Sequence, residues 1–134
     1  MMVTPIYAAL LVILFLVLSI RVIRRRQGSK ISLGDGGDAE LERVIRGQAN
    51  FAEYVPLALL LMLLLELSKF SIYVLHALGI ILLVARLLHA YALSFTRRSM
   101  FGRVAGAALT FFVLLVEAVL CLYQGITAAR VWMM

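Results

Sequence analysis

The sequence predicts an all-α protein, an integral membrane four-helix bundle, left-handed and antiparallel, forming a single domain over residues 1–134. Three observations predict it. Hydrophobic residues make up 64% of the chain, against about 45–50% in globular proteins, and a chain this small cannot hide that much apolar surface in a soluble core. The apolar residues fall into four runs, each long enough for a bilayer crossing of about 20 residues at about 1.5 Å rise. The basic residues collect between runs one and two and between runs three and four, as expected when alternate connections lie on one side of a membrane.

The net charge of +6 raises nucleic acid as a partner. The cations border apolar segments and do not alternate with aromatics along a groove, so no nucleic acid is expected. They fit membrane orientation and contact with anionic lipid headgroups. The one cysteine, Cys121, lies in an apolar run and makes neither an intramolecular disulfide nor a thiolate cluster. His76 and His89 do not form a zinc motif, and no metal is expected.

The first span covers about residues 3–23. A signal peptide would carry its charges before the apolar run and a small-residue cleavage site after it; this run has Arg21, Arg24, Arg25 and Arg26 after it instead. Gly34-Asp35-Gly36-Gly37 is a turn composition, and Asp38 is placed to cap the next helix, with Glu40 and Glu42 in its first turns. That second helix reaches from about residue 38 through a span at 51–68, with Pro56 inside it predicting a kink. After a short connection the third span covers 72–93 and the fourth 104–127, where Gly102, Gly106 and Ala107 suit close helix packing. Glu117 is costly against lipid, so it is expected to face a helix, a second subunit or a cavity. The positive-inside rule places both basic connections in the cytoplasm and both termini outside it.

The chemistry collects where the second helix enters the bilayer. Glu42, Arg46, Asn50 and Glu53 follow one another by four, four and three residues, which puts them on one helical face. Arg86 and His89 share a face of the third helix at the same membrane side. A charge at that depth needs a partner, and Glu42 or Glu53 is the expected counter-ion of Arg86. His89 suits either a ligand contact or an interhelical hydrogen bond. The arginines, Arg98 included, offer bidentate donors to carboxylates or phosphates. Glu53 can accept from an ammonium group, and Asn50 can donate and accept. A small molecule bearing carboxylates and an amine matches this set. No Ser-His-Asp arrangement is visible, so a nucleophile would come from the ligand.

The run Glu42-Arg43-Val44-Ile45-Arg46-Gly47-Gln48-Ala49-Asn50-Phe51-Ala52-Glu53-Tyr54-Val55-Pro56 resembles the signature of the MAPEG family, the membrane-associated proteins in eicosanoid and glutathione metabolism. Arg86 with His89 resembles the family's second signature. The short loops and the glycine-rich turn look like its small bacterial branch, which implies an inner membrane location. The resemblance covers nearly the whole chain and implies a homotrimer with glutathione, as co-substrate, bound near the cytoplasmic face between subunits. Carried over, Asn50, Glu53, His89 and Arg46 would bind glutathione, and Glu42, Arg46 and Arg86 would form a structural charge network. Arg98 and Ser99 resemble the pair that stabilises the glutathione thiolate. Arg97 stands beside them as an alternative at the ligand. Two positions depart from the family pattern: Ala49 replaces the arginine that usually precedes the asparagine, and Leu93 replaces a tyrosine, with Tyr91 close by as the glutathione contact expected in its place.

The expected function is therefore a glutathione-dependent membrane enzyme of S-transferase or peroxidase type acting on lipophilic electrophiles. The alternative is a non-catalytic membrane protein of the same fold that binds a lipid or an anionic metabolite. A transporter is disfavoured, because the spans show no inverted repeat or pair of broken helices.

Overall fold

The computed structural model describes residues 2–96 and 100–132. Helix α1 is Thr4–Ser29, α2 is Ala39–Leu67, α3 is Ile72–Ala90 and α4 is Met100–Trp132. A π-helical turn, Tyr91–Phe95, continues α3. Among the described residues four helices are long and apolar enough to cross a membrane, and the chain is an all-α membrane bundle with several spans. Its exterior is as apolar as its interior: Ile13, Leu60 and Leu115 are exposed while Leu11, Met62 and Leu82 are fully buried. A helix apolar all round is a helix that meets lipid on its outer face.

Each helix end has a local cause. Pro5 sits in the first turn of α1, where its missing N–H is no loss. The α1–α2 connection turns through Gly34, Gly36 and Gly37, all at positive φ, a conformation only glycine adopts without strain. Asp38 caps α2 as its sequence position predicts, its Oδ1 accepting from the Glu40 and Leu41 amides at 3.0 and 3.1 Å. The same carboxylate accepts from the Ser29 hydroxyl at 2.7 Å and from the Arg25 guanidinium at 2.8 Å. The Ser29 hydroxyl and then the Leu41 amide, with help from Arg25, hold its pKa down at about 2. One side chain thus ties the end of α1 to the start of α2. At the opposite end Glu66, in the last turn of α2, accepts from the Val3 and Thr4 amides and satisfies donors that the first turn of α1 leaves open. Tyr7 then reaches His76 of α3, its hydroxyl 3.0 Å from Nδ1.

The helices approach closely where small residues allow it. A Cβ on Gly106 of α4 would stand 2.6 Å from the Ala85 carbonyl oxygen and 2.8 Å from the His89 nitrogen of α3. Gly79 accepts the Tyr7 ring in the same way. The closeness of α4 to α3 fixes the site below, since Arg86 and His89 lie on the α3 face that Gly106 touches. Glu117 faces the interior of its own bundle; it is fully buried, and neither carboxylate oxygen has a hydrogen-bond partner among the described residues. One turn further on, Cys121 donates from Sγ to the Leu61 carbonyl at 3.5 Å. Helix α2 runs unbroken through Pro56.

Candidate functional site

At the end of the bundle that carries the α1–α2 and α3–α4 connections, α2, α3 and α4 enclose a cavity of about 390 Å³. Helix α2 supplies Glu42, Arg43, Arg46 and Asn50 to its wall. Helix α3 and its π-turn supply His89 and Leu93, and α4 supplies Arg103. The four-residue spacing on α2 explains why Glu42, Arg46 and Asn50 share this wall.

Beside the cavity lies Arg86, 1% exposed. Its Nη2 donates to the Asn50 side-chain oxygen at 3.0 Å, and its Nη1 donates to Thr110 Oγ1 at 3.4 Å. The Thr110 hydroxyl donates its own hydrogen bond to the Gly106 carbonyl at 2.8 Å, which leaves a lone pair for the arginine. The His89 Nδ1 stands 3.5 Å from Nη2. A guanidinium has only donors, so in this contact Nδ1 can only accept. The Phe51 ring covers the guanidinium at 5.2 Å. Arg86 Nε has no partner among the described residues.

The expected carboxylate partner of Arg86 is absent. Among the described residues the ion pairs are those of Arg25 with Asp38 and with Glu40; none joins Glu42, Arg46 and Arg86. The register of α2 against α3 gives the reason. Arg86 is level with Asn50. Glu42 is eight residues back along α2, about 12 Å at the helical rise. Glu53 lies on the exposed side of α2 and does not line the cavity.

Tyr91 is also outside the cavity. Its ring is 59% exposed and stacks on Phe95 at 6.5 Å, while the π-turn directs Leu93 to the wall. The turn itself is held from two other helices. Arg21 of α1 donates to the Ser94 carbonyl and lies 3.9 Å over the Phe95 ring. Arg43 of α2 donates to the Thr96 carbonyl at 3.0 Å. Gly47 of α2 lets this turn approach, because a Cβ there would stand 3.2 Å from Ser94 Oγ. Arg97, Arg98 and Ser99 lie outside the described residues.

Two wall residues, Arg43 and Arg103, are not among the site residues expected from the sequence. Each carried a signal. Arg43 stands three residues before Arg46, and Arg103 three before the Gly106 that seats α4 on His89. Among the described residues no group of three or more His, Cys, Asp or Glu is placed to hold a metal ion. The cavity is cationic by composition: three arginines and one glutamate on its walls, with a fourth arginine buried beside it.

The MAPEG family model matches residues 4–123. The chain belongs to the MAPEG family. It is 38% identical over 114 residues to inner membrane protein YecN of Escherichia coli strain K12, an alignment covering 85% of this chain and 86% of that protein. The YecN protein of Escherichia coli O6:H1 strain CFT073 matches to the same extent. Both relatives are bacterial, in keeping with the branch that the short loops and glycine-rich turn suggest. Within this MAPEG chain the signature residues Asn50, Arg86 and His89 are the ones drawn into one hydrogen-bonded group, while Glu53 and Tyr91 stand apart from it.

Proposed function

We propose that this MAPEG protein is a glutathione-dependent enzyme of S-transferase or peroxidase type, seated in a bacterial inner membrane and acting on lipophilic electrophiles. The observation that carries the reading is Arg86, a guanidinium 1% exposed with no carboxylate partner among the described residues, next to a cavity walled by further arginines. A buried charge without a counter-ion is costly, and an anionic ligand supplies the counter-ion. Glutathione has two carboxylates for the arginines and an ammonium for Glu42, the acidic residue of the wall. Asn50 and His89 contact the peptide, with Arg46 on a carboxylate.

The thiol is the reacting group. Arg98, with Ser99 beside it and Arg97 as the alternative, stabilises the thiolate by lowering the thiol pKa. In transfer, the thiolate sulfur forms a bond to the electrophilic carbon, the leaving group departs with its electron pair, and the thiol proton passes to water. Apolar substrates reach the site from the bilayer. The arginine-rich connections face the cytoplasm, and both termini lie outside it. The protein works as a homotrimer, in which a neighbouring copy covers the exposed polar stripe ending at Glu53.

The test is the ultraviolet thiolate difference signal on adding glutathione to detergent-purified protein, followed by turnover of a panel of electrophiles. A thiolate signal that Arg98→Ala abolishes supports the enzyme. Saturable binding with neither thiolate nor turnover replaces it with a non-catalytic protein that binds an anionic metabolite.

A further inference from the structure

The cations of the cavity stand on two different helices, and this separation carries a further assignment. Arg43 and Arg46 project from α2, and Arg103 projects from α4. Among the described residues, neither Arg46 nor Arg103 is engaged in an ion pair. Arg103 is exposed on the second turn of α4, while Arg43 spends a donor on the Thr96 carbonyl. The backbone that carries Arg103 is held close to α3, because Gly106, three residues on, is pressed against the His89 backbone. Between the two cationic walls lie Asn50 and His89, with the buried Arg86 guanidinium bound to both.

A cavity of about 390 Å³ is the size of a small-molecule site. Cations grouped on one wall would suit a single anionic group. Cations on two walls suit a ligand whose two anionic groups are held apart. We propose that Arg103 is a specificity-determining residue of the site, the α4 cation that binds the second of two separated carboxylates, and that the site thereby selects dicarboxylate over monocarboxylate forms of its ligand. This rests on the glutathione reading and names the residue behind a preference within it. The physical basis is that a guanidinium binds a carboxylate through charge-assisted, bidentate hydrogen bonds. An ester or a hydrogen at that position offers no charge and fewer acceptors.

The experiment is calorimetric titration of the detergent-purified full chain with three probes: glutathione, its glycine ethyl ester, and the analogue lacking the γ-glutamyl α-carboxylate. Each analogue removes one anionic group. Wild type is expected to bind each about tenfold or more weakly than glutathione, the scale of one lost charged hydrogen bond. Arg103→Ala is expected to erase the discrimination against one analogue and keep it against the other, and Arg103→Lys to restore part of it. Because Arg103 is exposed, its melting temperature should stay at the wild-type value, which separates a ligand contact from a folding role. If wild type binds glutathione and Arg103→Ala discriminates against both analogues as wild type does, the assignment is overturned while the glutathione reading stands. Equal weakening of all three probes also overturns it. If wild type binds none of the probes, the glutathione reading fails and the assignment with it.

Discussion

Arg86 donates to the Asn50 side-chain oxygen at 3.0 Å, and the amide takes the place that a carboxylate would occupy beside a buried guanidinium. A neutral acceptor satisfies a donor without cancelling the charge, so the site keeps its positive potential for a ligand. Asn50→Asp supplies the missing counter-ion. That variant is expected to unfold at a higher temperature, gaining about 2 kcal/mol from a charged hydrogen bond, and to bind glutathione at least about tenfold more weakly. Opposite movement of stability and affinity distinguishes a held-open anion site from a structural contact. Thermal unfolding and calorimetry on the same preparation measure both.

Gly106 sets the distance between α3 and α4. Gly106→Ala places a methyl group 2.6 Å from the Ala85 carbonyl, where backbone and not a flexible side chain must give way. The expected loss is about 1–3 kcal/mol, with weaker ligand binding as His89 and Arg103 separate. Gly125→Ala is the control, since a Cβ there meets nothing within 4 Å. It should leave melting unchanged or raise it slightly through helix propensity.

Asp38 gives an acid-sensitive joint. Its pKa is held at about 2, below the ordinary 3.8, chiefly by the Ser29 hydroxyl and the Leu41 amide. A depressed carboxylate pKa means that its contribution is fully present above the unfolded value and is lost as pH falls through the folded one. The start of α2 should therefore loosen between about pH 4 and pH 2, in step with this group. Hydrogen exchange at the Glu40 and Leu41 amides reads it locally. Asp38→Asn should show faster exchange at neutral pH and little further change in that window.

Glu117 is buried without a hydrogen-bond partner among the described residues. Burying an unsatisfied polar group costs about 1–3 kcal/mol, so Glu117→Leu, close in volume, is expected to raise the melting temperature in detergent. A fall would show that the carboxyl is engaged in the assembled protein.

The sequence exposed the fold almost completely, for physical reasons. Four apolar runs of this length each have to span a bilayer as a helix, and Asp38 capped α2 because a cap depends on its local neighbours alone. The signature residues were legible for the same reason, as helical spacing on α2 puts Glu42, Arg46 and Asn50 on one wall. What lies between helices was not legible. Whether Arg86 meets Glu42 or Asn50 depends on the register of α2 against α3, which is set by contacts such as Gly106 on Ala85 and not by either helix alone. The π-turn is a second case. It takes Tyr91 to the exterior and Leu93 to the wall, and its supports, Arg21 and Arg43, come from helices far away in the chain. Glu66 belongs with these, since nothing around residue 66 announces that it caps the first turn of α1.

The most direct measurement is a calorimetric titration of the purified protein with glutathione to millimolar concentration, run beside Arg86→Met. The methionine fills the space without the charge: it removes the cost of a buried unpaired cation and leaves the Asn50 oxygen without its donor, a loss of about 1–3 kcal/mol. Saturable binding by wild type, lost in an Arg86→Met variant that still melts cooperatively, is the expected result. Equal affinity in the two proteins, or no saturation by wild type, would contradict the account.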